Sequence, residues 1–434
     1  MFTSRVTVGI ALLVMGILGA PQAMAQSSTS ILRYDDKGRV ISREETKPVP
    51  APAAKTPQSK PRPPGTVREE PTSPDTDDAD AYEPGEVVVV DPPPGFMRAM
   101  RQEGFALIER IELEALQMTV MRLRTPAGVT VPQALESIHA RYPTVVSGAN
   151  HLFRPGAGAV DQEGNYGRQT FGWGDVAETC GAGLRIGMID TLTDLKHPAL
   201  RGKNIARRSF LPKKTRAGKA DHGTGVAAIL VGSDGGGQWN GLLPGAALYA
   251  ANIFSATRDG GIKASLGSMM KALDWLATKK VQVINISLAG SENKVLSLLM
   301  ERTSAKGIVV VAAAGNGGAK AKPAFPAAHP KVLAVTAIDQ KLAPYSHANQ
   351  GNYIDFAAPG VALWTAINGG GGLQSGTSFA APFISAAVAL KISGGASPDA
   401  ASLRRVLRQI AKDLGTPGRD AVFGWGLVRV RPDC

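Results

Sequence analysis

Cysteine is nearly absent: the 434 residues include two, Cys180 and Cys434. Two thiols cannot build a disulfide framework or a four-cysteine zinc site. Histidine is sparse too, with six scattered residues, which leaves little room for a histidine-rich metal centre. Charged residues make up only 19% of the chain and hydrophobic ones 44%. That balance permits a large buried core and excludes a wholly disordered or coiled-coil chain. Glycine (50) and proline (30) are plentiful, but no Gly-X-Y period runs through them, so collagen is excluded. The length is a soft prior for about three domains.

Acidic residues are scarce in one part of the chain. From residue 176 onward there are 30 Lys and Arg against 15 Asp and Glu, so this part carries +15 of the net +12, and the first 175 residues carry −3. Such a charge favours anionic surfaces or acidic partners. The cations are spread over many segments without aromatic interleaving, which reads as a solvated surface rather than a nucleic-acid interface.

Residues 1–25 form an export signal. Arg5 precedes an apolar run over residues 6–19, and Ala23-Met24-Ala25 supplies a small-x-small cleavage site. The run falls short of the roughly 20 residues that cross a bilayer as a helix, and no later segment is long enough to span. The expected product is secreted or periplasmic, with no membrane attachment after signal cleavage. Export also implies an oxidising compartment. Two outcomes stay open for the cysteines: a Cys180–Cys434 bond, or a buried thiol and a free C-terminal end.

Residues 26–84 hold ten prolines and an acidic cluster of Asp75, Asp77, Asp78 and Asp80. Too little of the segment is apolar to offset the entropy of ordering, so it reads as a flexible tether. Residues 85–155 read as an α+β unit. Val87-Val88-Val89-Val90 forms a strand and residues 96–103 a helix. Strands follow at 106–113 and 118–123, a helix at 131–142, and a last strand at 144–146. This β-α-β-β-α-β order is ferredoxin-like, and a unit of about 70 residues is marginal alone. Residues 156–175 read as a linker.

From residue 176 to 434, apolar β-branched runs at 184–189, 247–253, 281–286, 308–312 and 332–336 alternate with helical stretches such as 263–277 and 294–304. The expected fold is α/β, a mainly parallel sheet covered by helices on both faces. Functional residues on such a sheet gather at the carboxyl ends of its strands. Asp190 closes one strand, Asn316 follows another, and His222 and Ser378 sit at helix starts. A Ser hydroxyl needs a base, His222 can supply it, and Asp190 can fix the imidazole tautomer. The Asn316 amide and the Ser378 N–H can hold an oxyanion. Singly, each has a plain structural reading as a cap or turn residue.

As a set they carry a resemblance. Gly187-Met188-Ile189-Asp190-Thr191, His222-Gly223-Thr224-Gly225-Val226-Ala227 and Gly376-Thr377-Ser378-Phe379-Ala380-Ala381-Pro382 resemble, in this order, the aspartate, histidine and serine blocks of the subtilisin-like serine peptidases (subtilases). Ala313-Ala314-Gly315-Asn316, Ala357-Ala358-Pro359-Gly360 and Phe423-Gly424-Trp425-Gly426 extend the likeness, which covers roughly residues 176–430. It implies a serine endopeptidase with Asp190, His222 and Ser378 as triad and Asn316 in the oxyanion hole. Ser287, Leu288, Ala289 and Gly290 would be the strand that pairs with a peptide substrate, and Ala313, Ala314 and Gly315 a pocket wall. His197 reads as structural.

Residues 85–155 resemble the family's prosegment, which implies an autoinhibited precursor and a monomeric enzyme acting on protein or peptide. No cofactor is implied for the chemistry. The family often uses structural calcium, but no segment here has ligands enough to name a site. Three positions depart from the family pattern: Leu192 and Ala289 stand where glycine is common, and Gly225 stands in place of a frequent histidine. A different reading also remains, an exported peptidase-shaped binding or chaperone-like protein whose triad is silent. An α/β-hydrolase esterase is excluded, because it needs Gly-x-Ser-x-Gly and the order Ser, Asp, His.

Overall fold

The computed structural model describes residues 30–34, 40–45, 81–155, 166–234, 239–258, 261–367 and 370–434. The segment read as an export signal and most of the one read as a tether lie outside these residues. The chain divides after Glu69 into two units. In the first, Ser30–Tyr34 pairs antiparallel with Val40–Glu45, so the tether reading is corrected there. Ile31, Leu32, Tyr34, Val40 and Ile41 give these short runs strand propensity that the proline-rich composition hides.

The second unit is built on a nine-stranded sheet. Its spatial order is Ala411–Lys412, Leu427–Val428, Phe356–Pro359, Val332–Ile338, Val309–Ala313, Val283–Ile286, Arg185–Asp190, Ala247–Asn252 and Ile205–Ser209. Every neighbouring pair is parallel except the first. Alternate residues of one strand face two different cores. Val309 and Val311 join the helices Asp221–Val231 and Thr377–Ser393. Val310 and Ala312 join Leu266–Thr278 and Lys294–Ala305. Burial on both faces explains why these runs are apolar without alternation.

Two further assignments differ from the sequence reading. The expected helix over 263–277 is split, because Ile262–Ser265 is a strand and the helix begins at Leu266. Ser265 ends the strand and caps the helix, its hydroxyl accepting the Ser268 N–H at 3.3 Å. The linker reading of 156–175 fails over its second part, where Tyr166–Phe171 is a helix. Tyr166, Phe171 and Trp173 are buried in the main core, and the Tyr166 hydroxyl donates to the Val361 carbonyl at 2.6 Å. Burial pushes that phenol's pKa up. Residues 156–165 lie outside the described part. The cysteines resolve as a Cys180–Cys434 disulfide, Cα atoms 4.9 Å apart.

Residues 81–155 keep the expected β-α-β-β-α-β order, with a longer first and last strand. The elements are Tyr82–Val90, Phe96–Gln102, Ala106–Leu113, Met118–Arg124, Val131–Arg141 and Val146–Pro155. All four valines of the first strand are buried, for two different reasons. Val87 and Val89 pack with Phe96, Met100 and Ile138 of the domain's own helices. Val88 and Val90 share a core with Met269, Leu273, Leu296 and Leu299 of the larger domain. Polar contacts seal this seam. Asp274 Oδ1 accepts the N–H groups of Ala115 and Leu116 at 2.8 and 3.1 Å, while burial pushes its carboxyl upward. The small domain therefore leans on the large one, as its size requires.

On the far side of the large domain, Asp355 is a fully buried carboxylate. Its Oδ1 accepts from Arg404 at 2.8 Å and Arg419 at 3.2 Å, and its Oδ2 accepts the Ala334 N–H at 3.0 Å. Removing one partner from a buried pair leaves the other without compensation. Asp355→Ala is expected to lower unfolding stability by about 3 kcal/mol, the low end for such a pair because both arginines are partly solvated. Urea denaturation measures the difference.

Candidate active site

Strand Arg185–Asp190 ends on Asp190, whose carboxylate is 0% exposed. Oδ1 accepts the Thr191 N–H at 2.6 Å and lies 2.6 Å from Nδ1 of His222. Oδ2 has no hydrogen-bond partner among the described residues. His222 is the second residue of helix Asp221–Val231. The next position must be glycine, because a Cβ there would lie 2.5 Å from the Thr191 carbonyl oxygen. That closeness lets Gly223 N–H reach Thr191 Oγ1 at 2.8 Å, tying helix to strand. Leu192 is only half-buried, and the Asp190–His222 contact is intact beside it. At position 225 a Cβ would lie 2.9 Å from Thr365 and 3.3 Å from the Phe379 ring, so no larger side chain fits.

Ser378 is the second residue of helix Thr377–Ser393 and is buried. Its hydroxyl donates to the Ser287 carbonyl at 3.4 Å, and the Ser287 hydroxyl donates to the Ser378 carbonyl at 3.2 Å. Beneath them Asn285 Nδ2 donates to Ser287 Oγ at 2.8 Å, and Ser385 donates to Asn285 Oδ1 at 2.9 Å. This fully buried chain pins the helix start to the strand end. The His222 ring packs on Phe379, 5.1 Å between centroids. Asp190, His222 and the helix start that carries Ser378 therefore meet in one place.

Asn316 follows strand Val309–Ala313. Its amide oxygen is doubly satisfied, by Thr377 N–H at 3.1 Å and Thr377 Oγ1 at 2.9 Å. Its Nδ2 is buried and has no partner among the described residues. The oxygen contacts fix which way the amide faces, leaving a donor without an acceptor. Ala313, Ala314 and Gly315 are buried next to it. The Tyr353 hydroxyl holds the Ala314 carbonyl at 2.7 Å. Gly315 has φ +105°, and a Cβ there would lie 2.8 Å from Asn349.

The last strand of the small domain, Val146–Pro155, changes partners along its length. Val146 to Ala149 pair with Tyr82–Val90. Leu152 and Phe153 then pair with Ser265 and Ala264, and Arg154 and Pro155 pair antiparallel with Ala289 and Leu288. Phe153 is fully buried, lying where a Cβ on Gly290 would come within 2.4 Å of its ring. Asn293 secures the approach: Oδ1 caps helix Lys294–Ala305 through Val295 and Leu296 N–H, and Nδ2 donates to the Ala149 carbonyl at 3.0 Å.

Sequence reasoning missed Thr377, Thr191, Asn285, Ser385 and Asn293. Thr377 and Thr191 lie inside the recognised blocks, so their spacing was the available signal. Asn285 and Ser385 are single polar residues in apolar runs, and Asn293 stands in the polar stretch Ser291-Glu292-Asn293-Lys294. His197 is structural: Nε2 lies 2.7 Å from the Gly370 carbonyl and Nδ1 accepts the Ala199 N–H. Among the described residues no three His, Cys, Asp or Glu side chains gather as a metal site.

The family model described as the subtilase family matches residues 181–426. The chain belongs to the subtilase family. Among curated subtilases it is 31% identical over 258 residues to Subtilisin amylosacchariticus of Bacillus subtilis subsp. amylosacchariticus, covering 58% of this chain and 65% of that protein. It is 30% identical to Subtilisin of Bacillus pumilus over 58% of this chain and 90% of that one. The chain thus spans just under two thirds of the first relative's length. Among solved structures, fervidolysin from Fervidobacterium pennivorans, a keratinolytic enzyme related to subtilisin, superposes with TM-score 0.66 at 21% identity. The match covers 80% of this chain and 60% of that one, and it shows the same fold.

In this subtilase the Thr377 hydroxyl also accepts the Gly315 N–H at 3.2 Å, so one buried hydroxyl ties both sides of the Asn316 loop to the Ser378 helix. Thr377→Val keeps the shape but strands the Gly315 donor. A loss of about 1–2 kcal/mol is expected, read from the urea midpoint at unchanged slope.

Proposed function

We propose that this subtilase is an exported serine endopeptidase made as an autoinhibited precursor. The observation that carries the reading is the strand Arg154–Pro155 lying on Leu288–Ala289, next in sequence to Ser287, which touches Ser378. A peptide bound by main-chain pairing is the recognition mode of a protease groove. The small domain's own tail supplies the example.

In the proposed reaction Ser378 Oγ attacks the peptide carbonyl and passes its proton to Nε2 of His222. Asp190, bonded to Nδ1, holds the ring orientation and stabilises the imidazolium. The carbonyl oxygen becomes an oxyanion that accepts from the Ser378 N–H and from Nδ2 of Asn316, the donor with no protein acceptor. His222 then protonates the leaving amine, and water, deprotonated by the same imidazole, hydrolyses the acyl-enzyme. Protein or peptide is the substrate, the prosegment is the intramolecular inhibitor, and the enzyme acts as a monomer without a cofactor in the chemistry. No helix among the described residues is long and apolar enough to cross a membrane. Release to the periplasm or the medium follows from the N-terminal signal. Structural calcium enters no step.

The wild-type precursor is expected to cut itself between Phe153 and Trp173, while Ser378→Ala stays full-length after signal removal. N-terminal sequencing checks both. Two uncut proteins refute self-processing. A fluorophosphonate should label the wild type and not Ser378→Ala, whereas a silent relative would label in neither form.

Asn316→Ala is expected to lower kcat about 10²–10³-fold with little change in KM, a magnitude established on subtilisin itself and borrowed for this chain. Steady-state kinetics on a peptide substrate measure it. An unchanged kcat removes Asn316 from the oxyanion hole.

A further inference from the structure

One surface has no part in the proposed chemistry. Between Arg201 and Lys219 the chain carries eight cations and no acidic residue. Strand Ile205–Ser209 in this stretch is the outermost strand of the nine-stranded sheet. Arg208, Lys213, Lys214, Arg216 and Lys219 are exposed, and none has an ion pair among the described residues. Lys203 is the exception, pairing with Glu178 at 2.6 Å.

The loop that follows the strand is anchored toward the small domain. Arg216 O accepts the Ala256 N–H at 2.9 Å, and Gly218 N–H donates to the Phe254 carbonyl at 3.0 Å. Phe254–Ala256 lies next to Ile262–Ser265, which pairs with Val146–Pro155, which pairs with Tyr82–Val90. Pro212 and Thr215 of the basic loop line one cavity together with Glu83, Glu86 and Lys263, and Glu83 pairs with Lys263 at 2.8 Å. Ala81, where this part of the described chain begins, is level with Leu152, whose N–H it accepts at 2.8 Å.

Immediately before Ala81, residues 70–80 carry Glu70, Asp75, Asp77, Asp78 and Asp80 and no cation. They lie outside the described residues. We infer that this acidic tract docks on the basic edge formed by Arg208, Lys213, Lys214, Arg216 and Lys219. Reach permits it. Four strand spacings separate Ala81 from the loop, about 20 Å, and extended chain covers that in about six residues. Tethering decides between occupants, because a tract attached this close competes at an effective concentration of about millimolar or more. Opposite charge supplies the attraction and makes it salt-sensitive.

The test uses the full-length chain carrying Ser378→Ala, so it does not depend on the peptidase reading. A carbodiimide joins carboxylates to amines in direct contact, and mass spectrometry of the monomer band locates the links. Links from Asp75, Asp77, Asp78 or Asp80 to Lys213, Lys214 or Lys219 are expected at low salt. Their yield should fall roughly tenfold at 1 M NaCl, where charges are screened beyond about 3 Å. In Arg208→Glu/Arg216→Glu, which leaves every reactive lysine in place, the same links should weaken at low salt. The inference is overturned if the tract links equally to lysines elsewhere, if the yield ignores salt and both substitutions, or if these links occur only in a dimer band.

Discussion

A strand that leaves its own sheet must find backbone partners elsewhere, because unpaired N–H and C=O groups in a buried position are costly. The strand Val146–Pro155 meets this constraint by passing from Tyr82–Val90 to Ile262–Ser265 and Leu288–Ala289. Much of the molecule's arrangement follows from that passage. It sets the small domain's position over helices Leu266–Thr278 and Lys294–Ala305. It buries Phe153 against Gly290, and it directs the chain toward Ser287 and Ser378.

The large domain presents its polar groups at one edge for a reason of topology. Parallel strands all end on the same side, so Asp190, Ser287 and Asn316 come together although more than a hundred residues separate the first from the last. Two helices begin at that edge and bring His222 and Ser378 to it. The close approaches are made at positions without a side chain. Gly223 lies against the Thr191 carbonyl, and Gly225 against Thr365 and Phe379. Buried hydroxyls then hold the pieces in register, Thr191 for the histidine helix and Thr377 for the serine helix.

The parallel sheet and the main candidate residues were legible in the sequence because both rest on local signals. Val309-Val310-Val311 shows its buried strand directly, and His222 and Ser378 stand in distinctive small-residue contexts. What stayed hidden depends on contacts across the chain. Lys263-Ala264-Ser265 looks helical beside Leu266, and becomes strand because Phe254–Ala256 pairs with it on one side and Leu152 and Phe153 on the other. Tyr166 to Trp173 looks like a linker among glycines until its aromatics enter a core assembled from later residues. Asn285 and Ser385, a hundred residues apart, give no sign of each other in the linear order.

The four consecutive valines at the start of the small domain bear on what its proposed release would expose. Val87 and Val89 keep their cover, since it comes from the domain's own helices. Val88 and Val90 would lose the cover of the larger domain's helices, leaving an apolar stripe of sheet facing water. Rebinding would hide it again, but unravelling, self-association or digestion of the loosened fragment would each remove it from circulation. Release would thus leave a fragment with uncovered apolar surface, and that exposure comes from two side chains that point away from their own fold.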